Sequence, residues 1–173
     1  MTQLTDKVSD KVTDKVTDKV SNWYFEDFFP GQEIALGSRQ VSEEEIIAFA
    51  TQFDPQPFHI DREGAAASIF QGVIASGWHT CSMMMRLVVD ALVSTSSSMG
   101  SPGLDSVRWP LPVRAGDTLS VAYLTLKVKA SASRSDRGVV WSRWTATNQH
   151  GQVVCVIEGM GMFGRRPAAH AAA

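Results

Sequence analysis

The chain has 173 residues, 44% of them hydrophobic and 20% charged, which suits one folded domain with length left for a tail and excludes a disordered chain. Sixteen Lys and Arg against eighteen Asp and Glu give a net charge of -2 and a pI near 6.1, so the basic footprint of a nucleic-acid or anionic-membrane binder is missing. The two cysteines, Cys81 and Cys155, are too few for a disulfide framework and sit in apolar surroundings, as small hydrophobes do.

The opening MTQLTDKVSDKV has no apolar signal core, and the longest apolar stretch, Met83 to Val93, is broken by Arg86 and Asp90. A cytoplasmic protein that neither spans nor binds a membrane is expected. Residues 5 to 20 repeat the unit TDKV, SDKV, TDKV, TDKV. Thr, Val and Asp are mediocre helix formers, so this reads as a solvated, partly helical tail over 1–22. The folded domain is expected over 23–165, with a flexible tail over 166–173.

From Trp23 an aromatic cluster, WYFEDFF, runs into a Pro30-Gly31 turn, and the alternation around Ile34 and Leu36 predicts a first strand. Ser42 and Glu45 have capping-box spacing ahead of Ile46, Phe49, Ala50 and Phe53, which predicts an amphipathic helix ending near Phe53. The stretch Asp54 to His59, with Pro55 and Pro57, reads as a stiff, non-helical loop. Asp61 is placed to cap a brief helix through Ala65 to Ala67. A longer helix, about Trp78 to Val93, is apolar nearly all round and is expected in the middle of the fold. The runs Asp105 to Trp109, Thr118 to Lys129, Val139 to Asn148 and Gln152 to Phe163 predict strands that wrap it. The order implies an α+β domain, a curled antiparallel sheet around one helix, with edge strands that would pair in a dimer.

Candidate chemistry gathers at Asp54, His59 and Ala75-Ser76-Gly77. A carboxylate and an imidazole five residues apart can be folded to face one cavity and suit proton transfer. The Gly77 amide, at the start of the long helix, is free to meet a developing oxyanion. By spacing alone the same residues also suit a turn aspartate, a core histidine and a helix N-cap. Gly159 to Gly164 spells GxGxxG, but too few residues follow to complete a nucleotide-binding unit, so a sheet-edge or close-packing role is expected. His59, His79, His150 and His170 lack zinc-ligand spacing, and no metal is expected. Met83, Met84 and Met85 read as core or pocket wall, Ser82 lacks a nucleophile elbow, and Arg165-Arg166 reads as a solvated pair or a phosphate contact.

The segments FDPQPFHID and FQGVIASGWHT resemble the MaoC-like dehydratase family, which includes the (R)-specific enoyl-CoA hydratases. The family pattern Asp-x-Asn-Pro-x-His-x-Asp/Glu is met by Asp54, Pro57, His59 and Asp61, with Gly77 eighteen residues after the histidine. The likeness covers about Tyr24 to Phe163 and implies a hotdog fold. It also implies that Asp54 and His59 activate water and that the Gly77 amide polarises a thioester carbonyl. The implied reaction is reversible addition of water to a trans-2-enoyl thioester, giving an (R)-3-hydroxyacyl thioester without a cofactor. The implied partners are an acyl-CoA or acyl-carrier substrate and a second copy of the chain, as a homodimer or dimer of dimers. Gln56 stands where the pattern has Asn, Ser76 where some hydratases have His, and Met85 near a position that some fill with Ser. These departures bear on substrate preference, and Phe58, Ser76 and Trp78 are expected on the pocket wall. The same fold also hosts thioesterases and acyl-binding accessory subunits.

Overall fold

The computed structural model describes residues 23–167, so the TDKV repeat lies outside the described residues. A 3₁₀ turn at Phe25–Asp27 leads into strand β1 (Glu33–Gln40), helices α1 (Glu43–Phe53), α2 (Pro57–Ile60), α3 (Arg62–Ala67) and α4 (Gly77–Ala91), a second 3₁₀ turn at Val93–Thr95, and strands β2 (Gly103–Arg108), β3 (Thr118–Ala130), β4 (Arg137–Thr147) and β5 (Val153–Gly164). The strands pair antiparallel in the order β1-β3-β4-β5-β2, a single five-stranded sheet against which α4 packs. This is the hotdog arrangement, and each expected strand is present within a few residues of its expected place.

Local chemistry explains the elements. Ser42 accepts from the Glu45 amide at 3.1 Å while Glu45 accepts from the Ser42 amide at 3.3 Å, the reciprocal cap expected for α1. In β3 every second residue, Leu119, Val121, Tyr123 and Thr125, is buried, the two-residue period of a strand with one face on a core. That face meets Met83, Met84 and Val88 of α4 in one hydrophobic cluster. Gly159, expected at a sheet edge or a close contact, lies within the sheet between β4 and β2. A Cβ there would come within 2.9 Å of Leu104, so close packing is the reason for its lack of a side chain.

Two expectations need correction. The segment after Asp54 is not wholly non-helical, because Pro57 opens the one-turn helix α2 that carries His59. A proline suits the first helical position, where no amide donor is needed and its fixed φ is already helical. Nor is α4 wrapped on all sides: Trp78 is 60% and Met85 46% exposed, and Arg86 pairs with Asp90 at 2.7 Å on the outer face. The sheet covers only one side of the helix.

The first and last described segments are fastened together. Arg165 pairs with Glu26 at 2.8 Å, Arg166 grips both carboxylate oxygens of Asp27 at 2.7 and 2.9 Å, and Arg166 also lies over the Tyr24 ring. These arginines, read from sequence as a solvated pair or a phosphate contact, are engaged in ion pairs. Ser97 joins the same ends, its hydroxyl lying 3.0 Å from the Trp23 carbonyl and 2.9 Å from the Gly164 carbonyl. Among the described residues no helix is long and apolar enough to cross a membrane.

Met84 is fully buried between helix and sheet, and its truncation leaves a cavity that the surroundings fill only in part. Met84→Ala is expected to cost about 2–5 kcal/mol, measured as a lower urea midpoint with an unchanged slope.

Candidate active site

Asp54 ends α1 as its C-cap, and His59 sits one turn further on in α2. The ring is fixed from behind. His59 Nδ1 lies 2.7 Å from the Ile74 carbonyl, and because a carbonyl can only accept, Nδ1 carries the proton. Ile74 is held in turn by its own amide on the Phe58 carbonyl at 3.2 Å and by a bridge to Arg114. The Arg114 guanidinium also donates to the Phe70 carbonyl, which steadies the loop before Ile74. The neighbouring amide of Ala75 donates to Val113 at 2.8 Å.

With Nδ1 committed, Nε2 is the nitrogen left to face Asp54, whose Oδ2 lies 3.3 Å away. The same oxygen accepts from the Ser76 hydroxyl at 2.7 Å, and Oδ1 accepts from the Gln56 side-chain amide at 2.7 Å. The Ser76 and Gln56 donors hold the Asp54 carboxyl below the usual carboxylate value, outweighing desolvation, and His59 adds to the effect. Asp54 is therefore an anion at neutral pH. The stability that this brings is present above the ordinary carboxylate value and is lost as pH falls through the lowered one. A neutral His59 would present its Nε2 lone pair to this anion, so a proton must lie between them. Either an imidazolium or a water donating to both groups satisfies that need.

Gly77 opens α4, so its amide has no carbonyl one turn earlier within the helix and stands at the positive end of the helix dipole. The Trp109 ring covers this residue. Its Nε1 donates to the Gly77 carbonyl at 3.0 Å, and a Cβ on Gly77 would fall 2.7 Å from the ring. Trp78 meets Trp109 edge-on, with ring centroids 5.8 Å apart.

Asp54, His59 and the Gly77 backbone line one cavity of about 420 Å³, within the range for small-molecule sites. Phe58 and Trp78 are on its wall as expected, but Ser76 is not: it is fully buried and spends its hydroxyl on Asp54. Trp109 and the Pro110-Leu111-Pro112 stretch form wall that sequence reading missed. A tryptophan followed by Pro-Leu-Pro is a rigid, apolar signal, yet nothing local says that it folds over a glycine 32 residues earlier. A second hollow of about 280 Å³, with Met85, Leu92 and Trp144 on its wall, shares no lining residue with the first. His79 is buried away from the cavity and stacks on Phe49, and burial pushes its pKa down. Among the described residues, no three His, Cys, Asp or Glu side chains are grouped to hold a metal ion.

Comparison with known proteins identifies the family. Residues 27–143 match the MaoC like domain. The chain belongs to the MaoC-like dehydratase family. It is 32% identical over 127 residues to Protein MaoC of Klebsiella aerogenes, covering 70% of this chain and 37% of that longer protein. The crystal structure of the MaoC-like dehydratase from Rhodospirillum rubrum matches with a TM-score of 0.78 and 38% identity, over 84% of this chain and 99% of that one. An (R)-hydratase from A. caviae shares the fold, with a TM-score of 0.62 and 23% identity over 81% of this chain and 98% of its own.

The contact between Gly77 and Trp109 is open to a direct test. Gly77→Ala is expected to push the indole aside and cost about 1–3 kcal/mol, while the same change in a Trp109→Ala background costs less. A double-mutant cycle by chemical denaturation, with tryptophan fluorescence as the probe, would read the coupling.

Proposed function

We propose that the protein is a hydro-lyase that reversibly adds water to a trans-2-enoyl thioester, giving an (R)-3-hydroxyacyl thioester. The observation that carries this reading is the His59 Nε2 and Asp54 Oδ2 pair, 3.3 Å apart, in the same cavity as the first amide of α4. A water between the two side chains donates one hydrogen to each. A thioester carbonyl pointed at the Gly77 amide withdraws electrons from the conjugated double bond and leaves the β-carbon electrophilic. The water O–H bond breaks toward the Asp54/His59 pair as oxygen bonds to the β-carbon, and the electron pair of the double bond moves to the α-carbon side. The same pair returns a proton to the α-carbon. Because proton removal and delivery come from one side of the substrate, the addition is syn. No redox or metal step is needed.

The apolar wall of Phe58, Phe70, Trp78, Trp109 and Leu111 suits the acyl part of an acyl-CoA or acyl-carrier substrate. Trp78 and Trp109 restrict the space next to Gly77, which favours short acyl groups. The protein acts as a homodimer or dimer of dimers. β1 and β2 are the outer strands of an open sheet, and Trp78 and Met85 lie exposed on α4.

Incubation with crotonyl-CoA is expected to consume the conjugated enoyl absorbance and give the (R)-alcohol. Asp54→Asn and His59→Ala, checked for folding, are each expected to lower kcat/KM by about 10²–10⁴-fold. Release of free thiol without hydration would replace this reading with thioester hydrolysis. Trp78→Ala is expected to raise turnover of long enoyl thioesters relative to crotonyl-CoA, measured as the ratio of their kcat/KM values.

A further inference from the structure

We propose that Ser76 is a positioning residue, which orients the Asp54 carboxylate and sets it in register with the Gly77 amide. The inference deepens the hydratase reading and rests on it for the role of Asp54.

Ser76 is fully buried at the N-cap of α4. Its Oγ accepts from the Trp78 amide at 3.2 Å and donates to Asp54 Oδ2 at 2.7 Å. A hydroxyl has a single proton to give, and with the Trp78 amide on its acceptor side that proton is aimed at the carboxylate. The oxygen it holds is the one that faces His59 Nε2. Gln56 holds the other oxygen from the exposed side, so the carboxylate is fixed at both ends and cannot turn about its last side-chain bond. Ser76 is also bonded directly to Gly77. The group that would take a proton from water and the amide that would hold the oxyanion are thus joined through one peptide link, one hydrogen bond and no flexible segment.

Few other charges act on this carboxylate. Apart from Asp54, His59 is the only titratable side chain lining the cavity among the described residues. The histidine of α4, His79, stacks on Phe49 and feels Glu45 and Arg39. Removing the Ser76 hydroxyl therefore acts on Asp54 through a single lost donor, which disfavours the anion and raises the pH at which it takes up a proton.

The test compares the wild type with Ser76→Ala and Ser76→Gly, which lack the hydroxyl, and Ser76→Thr, which keeps it. Glycine retains most N-cap stability, so the comparison survives if the alanine variant folds poorly. One readout is the pH profile of kcat/KM on crotonyl-CoA. The Ala and Gly variants are expected to lose about 10- to 100-fold in kcat/KM, with the acid limb displaced to higher pH. The second readout needs no turnover: the His59 ring signals, followed by NMR in protein with 15N-labelled histidine, record the step at which Asp54 is protonated. That step is expected to move to higher pH in Ser76→Ala and Ser76→Gly and to stay in place in Ser76→Thr. Lower thermal stability with an unmoved His59 step would overturn the proposal and leave Ser76 a helix cap alone. A threonine variant that behaves like alanine would overturn it too, by showing that the hydroxyl is not what matters. If the step moves as expected but the wild type hydrates no enoyl thioester, the hydratase reading fails while the positioning of Asp54 stands.

Discussion

The proton on His59 Nδ1 ends on the Ile74 carbonyl, and that contact decides what the other face of the ring can do. It removes one tautomer, turns Nε2 toward Asp54 and binds α2 to the segment that enters α4. Ile74 can serve in this way because the chain on either side of it is tied down, by Phe58, by Val113 and by the Arg114 bridge. A short helix of four residues has little stability of its own. It borrows its geometry from the strand-like pairing of Ile74 and Ala75, which places His59 on a supported element.

The resulting site is polar at one point and apolar around it. Asp54 has a donor on each carboxylate oxygen and a histidine beside it, whereas Phe58, Phe70, Trp78 and Trp109 supply its aromatic wall. Low polarity around a satisfied carboxylate strengthens its interaction with whatever proton lies between it and Nε2. The covering indole also fixes the identity of residue 77, since its ring occupies the place of any side chain there. One tryptophan thereby favours glycine at that position, since any side chain there must displace the ring.

Much of this was legible in the sequence, where the signal was local. The Ser42/Glu45 cap and the alternation around Ile34 and Leu36 depend on residues a few positions apart and pointed to the right elements, and the Asp54–His59 spacing allowed both side chains to face one cavity, as they do. The failures share a different cause. Pro57 was read as a helix breaker because its missing amide was weighed without its position, and at the first residue of a turn that amide is not required. The apolar circumference of α4 could not show which side the sheet would leave open. Ser76 looked like a wall residue because its partner, Asp54, is 22 residues away, and Trp109 was passed over because its contact with Gly77 spans 32. Arg165 and Arg166 looked free for the same reason, since Glu26 and Asp27 lie at the other end of the chain.

Those two arginines make the domain nearly circular. With Ser97 touching both Trp23 and Gly164, and with Glu26 and Asp27 held by Arg165 and Arg166 just beyond β5, the described part of the chain begins and ends in one place. Ends that meet in this way can be joined, and new ones opened in an exposed turn such as that between β4 and β5, without changing the order in which strands pair. The described fold is in that sense a closed loop whose opening lies at the end of the β4–β5 hairpin opposite its turn at Asn148 to Gly151, so that the cutting point and the architecture are separable properties of the molecule.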